Sequence, residues 1–184
     1  MNTATGGPMD VQDYLRELAQ VNQNGFGFLV AYGLTWLTAA LLGRRFGDRV
    51  GTYAALFQGM VGLPLGLLLT MTAAQGARPD DPTLNALSIY LSMGQLLVLP
   101  FVIVLVARGR HTMAVATLAV TLAVHFVPYS WLYSTPIYLV VAAIVAVGTA
   151  VLVARDSQPA GTGCRICAVT GSALLLGGVI AFAS

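Results

Sequence analysis

The stretch PIYLVVAAIVAVGTAVLVA, Pro136–Ala154, carries no charged side chain, and its reading decides the fold. At 1.5 Å per helical residue it covers about 28 Å, close to the roughly 30 Å hydrocarbon core of a bilayer. Outward from it, comparable apolar runs lie at Gly25–Gly43, Val50–Ala74, Leu84–Ala107, Thr112–Tyr133 and Ile166–Phe182. With 57% hydrophobic and 9% charged residues among 184, the chain lacks the roughly 25% charge of soluble domains. So short a chain cannot hide that much apolar surface in a soluble core. The expected fold is all-α, a polytopic transmembrane helical bundle of about six spans over residues 25–184, after a tail over 1–24. The run at 166–182 is the shortest, and five spans plus a re-entrant segment is the rival count.

The tail does not read as a signal peptide, because Asp10, Asp13 and Glu17 interrupt any apolar run. Val11, Tyr14, Leu15 and Leu18 recur at helical spacing. Asp10 is the expected N-cap, with Pro8 just before it. This predicts a short amphipathic helix on the surface, lying on lipid or packing across the bundle mouth. The net charge of +2 comes from nine Arg and seven acids. Arg44, Arg45, Arg49, Arg108, Arg110, Arg155 and Arg165 fall on one side of the spans, and Arg16 and Arg78 on the other. Retained loops are enriched in Arg and Lys, so the expected topology has both termini outside a bacterial cytoplasmic (inner) membrane.

Ser134-Thr135-Pro136 is the tightest turn, since Ser or Thr caps a helix and Pro suits its first position. Small residues let helices approach inside lipid. Ala142, Ala146, Ala150 and Ala154 repeat down one face, Gly62 and Gly66 form a GxxxG, and Gly171, Gly177 and Gly178 thin the last span. These read as packing surfaces, with a homodimer seam as the sharper alternative.

Three spans pair an internal proline with a polar residue upstream: Gln58 with Pro64, Gln95 with Pro100, His125 with Pro128. Each proline removes a helical hydrogen bond, so helix breaks are expected at Pro64, Pro100 and Pro128. The freed carbonyls need partners in hydrocarbon, and the polar residues can supply them. The alternative is a pocket. His125 is the one ionisable residue deep in a span besides tyrosines, and such residues face cavities or bundle interiors. Gln95, Ser92, Tyr129, Tyr32 and Trp36 fall close enough in depth to join His125 in an outward-facing pocket, for which Gln58 is a further candidate. Trp131 and Tyr133 read as an interfacial belt.

The run His125-Phe-Val-Pro-Tyr-Ser-Trp-Leu-Tyr133, preceded by Gly94-Gln-Leu-Leu-Val-Leu-Pro100, resembles a family of small bacterial integral membrane proteins of unknown function. The likeness covers Leu84–Val141, with flanking spans similar in hydropathy alone. It implies a helical bundle and draws attention to His125–Tyr133, and it implies no reaction or ligand.

No acid lies inside a span, which argues against a metalloenzyme and a proton-coupled transporter. No nucleophile pairs with His125, and no second buried His would complete a haem site. Cys164 and Cys167 supply two ligands where structural zinc takes four, and they read as small apolar residues near a helix start. His111 reads as a solvated loop residue. Basic runs are too short for nucleic acid. No cofactor is expected, and the lipid bilayer is the one certain partner. Two roles lead: binding or transport of a small uncharged or lipid-like molecule, and an accessory or structural subunit, as a homo-oligomer or with a membrane-protein partner.

Overall fold

A computed structural model describes residues 10–74, 76–155 and 161–184, and these are helical almost throughout, with no strand. Helix α1, Val11–Val21, buries Tyr14, Leu15 and Leu18 almost completely against the bundle. It therefore packs across the bundle mouth. Asp10 stands at the N-cap, but its side chain makes no capping bond; its carbonyl accepts the Tyr14 N–H at 3.0 Å. Pro8 lies outside the described residues.

Helices α2 (Phe26–Phe46), α7 (His111–Leu132), α8 (Ile137–Ala154) and α9 (Thr162–Ala183) are each long and apolar enough to cross a membrane. So is Pro82–Ala107, which consists of α5 (Pro82–Gly94), a 3₁₀ turn at Gln95–Val98 and α6 (Leu99–Ala107). The bent pair α3 (Asp48–Phe57) and α4 (Gly59–Ala73), meeting at 47°, is either a broken sixth span or a re-entrant loop. The doubt over span count thus falls on the second span and not on the short last one. The chain is a membrane-spanning all-α bundle.

The breaks differ from those expected of the prolines. The second span bends at Gln58, one and a half turns before Pro64, which sits inside α4. Pro64 crowds the carbonyl four residues back, and the chain relieves this upstream, where the Gln58 carbonyl accepts both the Val61 and Gly62 N–H groups. The 3₁₀ turn precedes Pro100, which opens α6. Pro128 breaks nothing: α7 runs on to Leu132, because one turn beyond the proline is too little helix to swing away.

Helix α9 is the centre of the bundle, packed on α2, α8, α7 and α3. A Cβ on Gly171 would stand 2.9 Å from the Gly33 carbonyl oxygen, so α2 and α9 approach backbone to backbone. Gly62 and Gly66 receive the Tyr32 and Phe28 rings of α2. The alanine repeat of α8 is buried only at Ala142, while Ala150 and Ala154 are exposed. The helix instead turns Tyr138, Val141, Val145 and Thr149 inward. Cys164 and Cys167 are buried in α9. The Cys164 thiol donates to Asp48 Oδ1 at 3.5 Å, and the same carboxylate accepts the Gly161 N–H at 3.0 Å. Asp48 thereby ties the start of α3 to the start of α9.

Chain ends and turns sort to two ends of the bundle. At the terminal end the Asn24 amide donates to Ser184 Oγ at 3.1 Å, so the start of α2 meets the end of α9. At the arginine end lie Arg44, Arg45, Arg49, Arg108, Arg110, Arg155 and Arg165.

Candidate functional site

The polar quartet Asn22-Gln23-Asn24-Gly25 joins α1 to α2 at the terminal end. Its last three residues hold φ of 46°, 52° and 74°, in the left-handed region that only Gly, and to a degree Asn, visits readily. Across from it, Ser134 turns α7 into α8 with φ 49°. The two turns are clamped together by tyrosines. The Tyr138 hydroxyl donates to the Asn24 carbonyl at 2.8 Å, and the Asn22 side chain sits against the Tyr133 hydroxyl. The Tyr133 and Tyr138 rings stack at 5.5 Å with 15° between their planes. Gly25 is required twice: its φ is positive, and a Cβ would strike the Tyr138 hydroxyl and the Tyr133 ring.

Between the turns and the end of α9 lies a cleft of about 450 Å³. Arg16 and Gln20 of α1, Gln23, Asn24, Ser134 and Ser184 give it a polar rim, with Tyr133, Ala19, Ala181 and Phe182 beneath. Gln23 Nε2 donates to the Ala73 carbonyl at 3.2 Å, while its Oε1 is buried without a partner. Arg16 pairs with Asp13 at 3.4 Å on the open surface.

Below the cleft the aromatic contacts continue inward. Tyr138 lies 5.9 Å from Tyr129, centroid to centroid, and Tyr129 lies 4.8 Å from His125. The Tyr129 hydroxyl shares a 2.6 Å hydrogen bond with Ser92 Oγ, and His125 lies against the Leu91 backbone. The Tyr32 ring lies against Gly62 of α4. Of the residues named from the sequence, His125, Tyr129 and Ser92 therefore stand together. Gln58 is near Tyr32 through Thr35, whose one hydroxyl proton is shared between Gln58 Oε1 at 2.8 Å and the Tyr32 carbonyl at 2.9 Å. Gln95 opens the 3₁₀ turn and makes no side-chain hydrogen bond among the described residues. Trp36 is a core residue, 1% exposed, its Nε1 without a partner.

The expected belt divides: Trp131 is 48% exposed, whereas Tyr133 is buried beneath the α1–α2 turn. A tyrosine at a helix end normally keeps its hydroxyl in water, but here Asn22 stands against that hydroxyl. Ser134 was marked as a turn and not as a site residue, while Gln23, Asn24 and Tyr138 were passed over. The Asn and Gly of the quartet were the legible signal, since both residues mark turns. Nothing local marked Tyr138, whose partner is 114 residues away. Among the described residues no three His, Cys, Asp or Glu side chains gather as metal ligands.

No curated protein and no solved structure matches the chain. A family model does, over residues 11–182, so the likeness reaches far beyond Leu84–Val141 and takes in the surface helix α1. The chain thus belongs to the family of unknown function DUF7010.

Proposed function

We propose that the terminal-end cleft binds a small uncharged molecule, or the polar head of a lipid-like one, from the outer side of a bacterial cytoplasmic membrane. The observation that carries this reading is that backbone strain and polar lining coincide. Gln23, Asn24 and Ser134 all line the cleft, and they are the non-glycine residues with positive φ among those described. Each such residue costs about 1–3 kcal/mol, and this kind of strain concentrates at ligand sites. The rim offers amides and hydroxyls, and Asp13 offsets its one cation, which suits a neutral ligand. Residues His125, Tyr129, Ser92, Tyr32, Gln58 and Gln95 would form the inner part of the route, reached along the tyrosines. The outward orientation rests on the arginine bias between the two ends.

The test is purification in mild detergent followed by mass spectrometry of what remains bound, for the native chain and for Gln20→Trp. Gln20 is an exposed rim residue, so the indole fills the cleft without touching the core. The native protein should retain about one small molecule per chain and the variant none. Equal recovery from both would remove the cleft from consideration.

A second reading has its own support. Helix α5 buries no side chain, and Tyr90 and Leu97 are 72% and 84% exposed. A partner helix laid along α5 would cover them, as an accessory subunit requires. A stoichiometric protein partner surviving gentle solubilisation would favour that role.

A further inference from the structure

At the arginine end a second cleft, of about 320 Å³, opens between α3 and the turn joining α6 to α7. Arg49 and Tyr53 form one wall, with Val106, Ala107, Gly109 and His111 opposite. The Arg49 guanidinium lies 5.8 Å from the centroid of the Tyr53 ring. Such stacking orients the cation through the ring face and leaves its N–H fork free to bind. His111 is the first residue of α7, so the positive end of that helix dipole adjoins the cleft. Its Nδ1 is buried without a hydrogen-bond partner, which corrects the expectation of a solvated loop residue. Arg108 and Arg110 flank the same turn.

These cations lack carboxylates. Among the described residues the one ion pair joins Arg16 to Asp13, at the other end. Asp48, the one described acid at this end, is engaged by Gly161 and Cys164. A surface cleft with an oriented guanidinium, an unsatisfied imidazole nitrogen and a helix N-terminus suits an oxyanion.

We propose that this cleft holds the phosphate of an anionic lipid headgroup. The charge and donors fit a phosphate monoanion. The ends of membrane-spanning helices lie at headgroup depth, and Val106 and Ala107 offer an apolar wall to the start of the acyl region, which inorganic phosphate would not use. The site is separate from the terminal-end cleft and does not depend on what that cleft binds.

The full chain in neutral detergent is titrated with phosphatidylglycerol, phosphatidylcholine or inorganic phosphate, reading bound lipid by native mass spectrometry and the shift in unfolding temperature. Phosphatidylglycerol should bind saturably and stabilise the protein, and the other two should not. Arg49→Gln should weaken that binding roughly fivefold, the worth of one basic residue near a membrane surface, and His111→Ala should also weaken it. Arg155→Gln makes the same charge change away from the cleft and should leave it unaltered. Arg49 and Arg155 are both exposed, and lipid-free unfolding temperatures check that the variants fold. Equal losses in Arg49→Gln and Arg155→Gln, or equal retention of phosphatidylcholine, would overturn the site. Saturation by inorganic phosphate as tight as by lipid would overturn the lipid as its source.

Discussion

Both ends of the bundle must reverse the chain tightly, and they do so by opposite means. At the arginine end every described left-handed residue is a glycine: Gly47, Gly109 and Gly161. These turns are relaxed, because a residue without Cβ meets no clash there. At the terminal end Gln23, Asn24 and Ser134 take the same region beside Gly25 and Gly76. Those turns are strained, and they are held by the stacked Tyr133 and Tyr138 and by the hydroxyl on the Asn24 carbonyl. Strain that persists is imposed by its surroundings. The difference separates an end whose turns are relaxed from one whose turns are held under strain beside a cleft.

The comparison can be broken most severely at Gly25. Gly25→Ala adds left-handed strain and drives a methyl into the Tyr138 hydroxyl and Tyr133 ring, an overpacking penalty as well. We expect a loss of about 3 kcal/mol from the two together, read as the shift in detergent unfolding, with the cleft lost. Gly109→Ala provides the arginine-end counterpart. Nothing stands within 4 Å of its missing Cβ, so the loss should be the conformational share alone, about 1 kcal/mol. If the two variants cost the same, the tyrosine clamp contributes nothing.

Smaller changes sharpen the picture. Tyr129→Phe removes the hydrogen bond to Ser92. Buried hydrogen bonds between membrane helices average about 0.6 kcal/mol, and a loss of that size in the same unfolding assay is expected. Ser134→Gly should act in the other direction. It relaxes a left-handed serine and should raise stability by about 0.5 kcal/mol, while weakening retention of any bound molecule. A serine turn that is strained for no purpose would gain the stability and keep the retention.

Much of this was legible beforehand. Spans and surface helix followed from hydropathy and period, since lipid solvation adds residue by residue along one segment. Arg clustering sorted the loops for the same local reason. The candidate site was legible in part. His125, Tyr129 and Ser92 were named from depth, and depth is set by counting along a helix. Which way each side chain faces around the helix is not, because an apolar span has no wet face to fix its rotation. That is why Trp36 was grouped with the others although it is a core residue.

The sequence by itself determined the class of fold, the crossings and the sorting of charge, because each is a property of a single segment in lipid. The tertiary structure decided the burial of Tyr133, the capture of Asp48 by α9 and the clamping of two strained turns by Tyr138. Each of those depends on a partner brought from a distant segment. Backbone approach through glycine and hydrogen bonding in a dry interior settle which partner that is.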